Sequence, residues 1–385
     1  MIYNELKSLI AHSEHPIFIW GAGIRLYADE AKRIAERSGI PVACTWGAID
    51  LLDAYHPLMA GGFGTHGTRA ANFAVQNSDL IISIGCRLDT KATGSPQHFA
   101  RCARVAMVDI DPAEIQKFDK LGRQIDIGIC QDAGEFLKHL SEQTFGNYWH
   151  DTWIRRIQEW KLRYAMPRYA MPKVDWPGVN PYHFMQAIAE HTTKEDIICT
   201  DTGFALGWTM QAFPFKGERF IHAFNMTPMG YGLPAAIGAA FATGRRVVLI
   251  TGDGSIMMSL PELATVKRWN LPIKIILLNN GGHGMCRQTQ RQWLGGRYHA
   301  TSIQGGLGFP DFVLCSESFG IRHAQTLSGL FHGKDPGFLE VEIHPNAQLV
   351  PQAKYSQPIE DADPQLPWEE LCEQMIIPPL ERPKQ

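Results

Sequence analysis

The chain has 385 residues, 45% of them apolar and 19% charged, enough material for about two globular domains. Its 36 Lys and Arg against 39 Asp and Glu leave a net charge of −3, which argues against a nucleic acid or an anionic membrane surface as partner. No apolar run approaches the roughly 18 residues of a membrane-spanning helix, and the opening MIYNELKSLIAHSEH lacks the apolar core of a secretory signal.

The first third alternates strand-like and helical segments. HPIFIWGAG (15–23) is an apolar run that stops at glycines, and Ala31, Ile34 and Ala35 recur at helical spacing within 29–38. PVACTWG (41–47), DLIISIGC (79–86) and RVAMVDIDP (104–112) read as further strands, and AGGFGTHGT (60–68) leads into the small-residue helix RAANFAVQNS. Strands alternating with helices predict a parallel sheet covered on both faces, placed at 1–145. Residues 146–180 read as a linker: Trp149, Trp153, Ile157 and Trp160 share a helical face, and Pro167, Pro172, Pro177 and Pro181 then interrupt regular structure. A second alternating unit is expected over 181–345, with strands at DIICT (196–200), RRVVLIT (245–251), PIKIILL (272–278) and FLEVEIH (338–344). A surface-wrapping tail, 346–385, completes the chain. The expected fold class is therefore α/β, with two parallel-sheet domains. The eight cysteines form no C-x-x-C pair, which fits a reduced, cytoplasmic setting rather than a zinc or disulfide framework.

The chemistry concentrates in the second unit. Thr251-Gly252-Asp253-Gly254-Ser255 follows one strand and Asn279-Asn280 follows the next. Both sit at carboxyl ends of strands, where open α/β sheets bind ligands. Asp253 and Asn280 offer hard oxygens suited to Mg²⁺, which usually keeps substrate phosphates among its ligands. The glycines permit tight turns, and the N–H groups of Gly254 and Ser255 are expected to face a phosphate. The residues alone thus predict a Mg–diphosphate site.

The GDG and NN pair, at this separation, resembles the thiamine diphosphate (ThDP) motif of the acetolactate synthase and pyruvate decarboxylase superfamily. The resemblance implies Mg²⁺ held by Asp253, Asn280 and the carbonyl of Gly282. It implies ThDP contacts at Gly203, Phe204, Gly252, Gly254, Ser255 and Met285. Met229, within MTPMGYGLPAAIGA (226–239), falls where the family props the cofactor rings in a bent conformer. The stretches GGFGTHGTRAANFAVQNSDLIISIGCRLDTKATG (61–94) and VDIDPAEIQK (108–117) are similar to the Rossmann-like middle domain of acetolactate synthases, which binds FAD. FAD contacts implied by position are Gly21, Gly23, Arg25, Thr65, His66, Gly67, Arg87 and Asp109. The third glycine of a G-x-G-x-x-G fingerprint is absent, since Leu26 stands there.

The sequence departs from the family in three places. No segment matches the pyrimidine-binding domain, whose glutamate activates the cofactor, so a separate pyrimidine-domain subunit and a hetero-oligomer are expected. The turn Thr200-Asp201-Thr202-Gly203 continues Phe204-Ala205-Leu206, where synthases carry polar Gln-His-Gln side chains. The synthase tryptophan that selects the second ketoacid falls on Thr289, and the arginine that meets the acceptor carboxylate falls on Lys91, which keeps the charge without the bidentate fork. His283 reads as a proton relay or as a polar loop residue, and Cys286 as a pocket thiol or, more simply, a small packing residue. The resemblance implies a carboligase that decarboxylates a 2-ketoacid, pyruvate first among them, and passes the acyl unit to a carbonyl acceptor. A non-catalytic binding or assembly protein derived from the same family is the alternative.

Overall fold

A computed structural model describes residues 2–143, 150–166, 178–223, 225–354 and 357–382. The chain forms two compact units, Met1–Ala170 together with Val350–Gln385, and Met171–Leu349.

The first unit holds a six-stranded, all-parallel sheet. In chain order its strands are β1 (Pro16–Trp20), β2 (Val42–Cys44), β3 (Met59–Gly62), β4 (Leu80–Ile84), β5 (Arg104–Asp109) and β6 (Ile127–Cys130). They lie in the order β3-β2-β1-β4-β5-β6, the doubly wound order that reverses between β1 and β4. PIFIW and LIISI are buried at every position, as strands covered on both faces must be. Side chains such as Ile17, Ile81, Phe73 and Met107 fill the core beside the sheet. Gly39 ends the helix Ala28–Ser38 in the left-handed conformation (φ 65°), and Thr68 caps Arg69–Gln76 by accepting from the Ala71 N–H.

Two segments lie deeper than the sequence suggests. The helix Asp151–Arg163, read as part of a linker, buries Trp153, Ile157 and Trp160 in the first core. Its Trp153 indole donates to the Pro16 carbonyl and its Trp160 indole to Gln374 Oε1, both at 3.0 Å. The chain after Val350 is likewise part of this core: Leu366 and Leu371 are buried in it. Backbone bonds join Ala353 to Thr65 (2.7 Å), and Asn77 accepts the Ile376 N–H (2.7 Å). These apolar residues are spaced without period among prolines, so their burial leaves no pattern in the sequence. The prolines Pro167, Pro172 and Pro177 of the expected linker, and Trp149, lie outside the described residues.

The second unit carries another six-stranded parallel sheet: β7 (Ile197–Thr200), β8 (Arg219–Ile221), β9 (Val247–Gly252), β10 (Ile273–Asn279), β11 (Arg322–His323) and β12 (Gly337–Glu342), in the order β11-β12-β10-β9-β7-β8. The chain leaves β7 toward β8 and returns to the other side of β7 at β9. The loops that follow β7 and β9 therefore flank a topological switch point, the general place for a ligand in such a sheet. The shorter strands β3, β6, β8 and β11 lie at sheet edges, and none of them stands out as an apolar run. Among the described residues no helix is long and apolar enough to cross a membrane.

Candidate functional site

A cavity opens at the carboxyl ends of β7, β9 and β10, and three loops build it. After β7, Gly203 takes φ +77°, a value that favours glycine, and starts the fully buried helix Phe204–Ala212. Gly203 and Phe204 line the cavity, and the Phe204 ring packs on Trp208 with centroids 4.7 Å apart. Gly252 ends β9, and Asp253, Gly254 and Ser255 follow it. After β10 come Asn280, Gly282, His283, Met285 and Cys286, all on the cavity wall. Gly281 (φ +66°) and Gly282 (φ +153°) turn this loop through backbone conformations closed to most side chains, and a Cβ on Gly282 would lie 2.3 Å from the Thr301 carbonyl.

Strands β9 and β10 pair up to Gly252 and Leu278, so their loops emerge side by side. The Asp253 carboxylate bridges them. One oxygen accepts the Gly254 N–H at 2.7 Å and the other the Gly282 N–H at 2.8 Å. The expectation that the Gly254 N–H faces a phosphate is thereby corrected: that donor is held by its neighbour's carboxylate. Burial raises the Asp253 pKa above the ordinary carboxylate value, and the backbone donors of Gly282, Gly254 and Asn280 oppose that rise. The two asparagines divide their work. Asn279 fixes the turn, accepting from Gly281 N–H (3.0 Å) and donating to Glu340 (2.6 Å). Asn280 is buried, and its Oδ1 has no hydrogen-bond partner. A buried carboxylate and a buried, orphaned amide oxygen at neighbouring strand ends fit a hard cation such as Mg²⁺. With one carboxylate, the set is not a His/Cys/carboxylate cluster, and none of that kind occurs among the described residues.

Two further residues shape the site and escaped the sequence reading. Asp201, buried at the end of β7, accepts the N–H groups of Thr202 (2.9 Å), Gly230 (3.1 Å) and Gly232 (2.7 Å). It ties the 230–232 segment to the sheet and so sets the adjacent Met229 on the cavity wall. The signal available was an acid directly after a strand, but two of its three partners lie some thirty residues on. Arg287 is buried and donates to the Asn280 carbonyl at 3.0 Å, bracing the loop after β10. Thr227, also on the wall, holds φ +46°, uncommon for a β-branched residue.

Thr289 stands apart. It is exposed, its hydroxyl donates to the Met285 carbonyl (3.1 Å), and it is not among the residues lining the cavity. Lys91 belongs to the first unit, where burial lowers its pKa.

The residues implied for FAD follow or end β1, β3, β4 and β5, and several of them have partners within the chain. Gly21 and Gly23 donate to the carbonyls of Ile84 and Gly85, each at 3.0 Å. A Cβ on Gly21 would lie 2.0 Å from the Gly85 oxygen, so another stretch of this backbone by itself requires that glycine. Arg25 forms a fork with Asp50 (2.8 and 2.9 Å) and Arg87 pairs with Glu114 (2.9 Å). Thr65 N–H donates to the Lys91 carbonyl, and Gly67 closes a turn onto Gly64. His66 meets Trp46 edge-on at 5.7 Å, and burial holds its pKa down at about 4. Asp109 accepts the Asp111 N–H at 3.0 Å, and burial pushes its pKa up.

Comparison with known proteins gives two family matches: the central domain of thiamine pyrophosphate enzymes over residues 3–140, and the C-terminal TPP-binding domain of the same enzymes over 201–331. The acetolactate synthase isozyme 2 large subunit of Escherichia coli is 33% identical over 331 residues, covering 84% of this chain and 57% of that protein. The probable acetolactate synthase large subunit of Methanocaldococcus jannaschii is 35% identical over 337 residues, with 84% and 55% covered. Acetolactate synthase 2 of Nicotiana tabacum, a chloroplastic protein, is 33% identical over 341 residues, with 85% and 50% covered. The chain thus spans about half the length of the curated relatives it matches.

Proposed function

Because the chain belongs to the thiamine pyrophosphate enzyme family, we propose that its second unit binds the diphosphate of ThDP through Mg²⁺ and that it works as one subunit of a carboligase. The observation that carries this reading is the meeting of Asp253 and the orphaned Asn280 oxygen at the ends of β9 and β10. Asp253, Asn280 and the Gly282 carbonyl hold the cation. Met229 supports the cofactor rings from beside the Asp253–Gly254 turn, since its Cε lies 3.3 Å from where a Gly254 Cβ would be. Phe204, Trp208 and Leu278 give the wall its apolar character and exclude water.

When bound, ThDP supplies the carbanion chemistry that decarboxylates a 2-ketoacid and hands the acyl unit to a carbonyl acceptor. Activating the cofactor takes a second carboxylate beside its pyrimidine ring. Among the described residues lining the cavity, Asp253 is the only carboxylate, and the two loops already engage it. The activating group therefore comes from outside these residues, and a separate pyrimidine-domain polypeptide in a hetero-oligomer is the arrangement we favour. Pyruvate is the proposed donor, and the cytoplasm the proposed location. Flavin stays outside the proposal, because Gly21, Gly23 and Arg25 answer to Gly85 and Asp50.

The test is reconstitution. The purified chain alone should not release carbon dioxide from pyruvate, and adding a pyrimidine-domain protein should restore turnover by roughly 10²–10⁴-fold, the usual worth of a positioned acid or base. Full turnover by the isolated chain would overturn the two-chain arrangement.

A further inference from the structure

His283 occupies a distinctive place on the cavity wall. It precedes the helix Gly284–Trp293, and its backbone N–H donates to the Thr301 carbonyl at 3.1 Å, which fixes the loop. Its ring edge lies against Gly254: a Cβ there would sit 2.3 Å from His283 Nδ1 and 2.4 Å from Cε1. Gly254 has no left-handed φ, so backbone conformation does not demand glycine at this point. The imidazole does. The ring is thus seated directly on the turn that carries the Asp253 carboxylate.

The cavity wall also carries the hydroxyls of Thr202, Thr227 and Ser255, but His283 is the only imidazole among its described residues. The opening of the helix after β7 presents Phe204 and Ala205, which have no polar atoms. The Trp208 indole N–H is engaged by the Gln348 carbonyl at 3.2 Å. The His283 ring makes no hydrogen bond among the described residues. A neutral imidazole always carries one N–H, so it donates without being protonated.

We infer that His283 is the side-chain donor to the diphosphate held on Asp253 through Mg²⁺, and that it takes the place of the polar side chains missing at 204–206. This rests on the ThDP reading of the site and assigns one of its residues. His283 is in these terms a binding residue for the anion and not a proton relay.

The probes are ThDP and inorganic pyrophosphate, each with Mg²⁺, titrated calorimetrically into the full chain and into its His283→Leu and His283→Gln variants. A hydrogen bond to a charged group predicts an affinity loss of about 10- to 100-fold in His283→Leu. The loss should be the same factor for both probes, because both share only the diphosphate. His283→Gln, which keeps an N–H, should recover most of it, and the Mg²⁺ concentration for half-saturation should not move. An unchanged affinity for both probes, or a loss confined to ThDP, would overturn the assignment while leaving the ThDP reading intact. Failure of the unsubstituted chain to bind either probe would overturn both.

Discussion

Replacing Gly254 by alanine puts a methyl group about 1 Å inside ordinary contact with the His283 ring, 2.3 Å from Nδ1 where 3.4 Å is normal, and 3.3 Å from Met229 Cε. The backbones on both sides are fixed, His283 to Thr301 and Gly254 to Asp253, so relief has to come from rotation of the ring itself. Overpacking of this kind costs about 1–3 kcal/mol. The origin of the cost is testable by a cycle. In a His283→Ala background the two closest contacts are gone, so Gly254→Ala should become much less costly. The expected coupling between the two positions is therefore about 1–2 kcal/mol and favourable, within the range seen for touching residues. Urea unfolding of the full chain and the three variants, followed by tryptophan fluorescence, measures it. Additive effects, with Gly254→Ala equally costly in both backgrounds, would show that the glycine answers to something other than the imidazole.

Three more outcomes follow, two from the first unit and one from a helix of the second. Burial holds His66 at a pKa of about 4, below its ordinary 6.5, so between these values the unfolded chain binds a proton that the folded chain refuses. Stability should rise with pH through that window and be complete above it, with His66 contributing on the order of 3 kcal/mol of the slope. His66→Gln should flatten the acid limb of the unfolding midpoint against pH, and parallel profiles would contradict this. Gly21→Ala should prevent stable folding whether or not flavin is supplied, since its Cβ would meet the Gly85 carbonyl at 2.0 Å. Gly238→Ala, inside the helix Gly232–Thr243 with nothing within 4 Å of the added carbon, should stabilise by about 0.5–1 kcal/mol; thermal melts of both variants decide the pair.

The central strands were legible because burial on both faces writes an unbroken apolar run: β1, β4, β9 and β10 are each buried along nearly their whole length. The edge strands were not, since β3 is Met-Ala-Gly-Gly and β6 alternates buried with exposed residues over only four positions. The loops after β9 and β10 stood out because glycines and hard-oxygen side chains cluster at strand ends. What spacing could not show was the partner of each group. Asp201 acts through backbone N–H groups far along the chain, and Arg287 reads as one more base on a polar helix until its burial is seen. Thr289 was placed by position in a motif, yet one helical turn beyond Met285 it faces outward. The tail resisted reading for a related reason, as isolated residues such as Leu371 become core only through contacts with a sheet built some 250 residues earlier.

The central claim is that Asp253 holds the cation through which this chain grips a diphosphate. Calorimetric titration of ThDP into the full chain and into Asp253→Ala, each with and without Mg²⁺, tests it most directly. Binding to the unsubstituted chain should be saturable and Mg²⁺-dependent, with at least a roughly 100-fold loss in Asp253→Ala and the variant still folded by circular dichroism. Equal affinity in the two proteins, or binding indifferent to Mg²⁺, would contradict it.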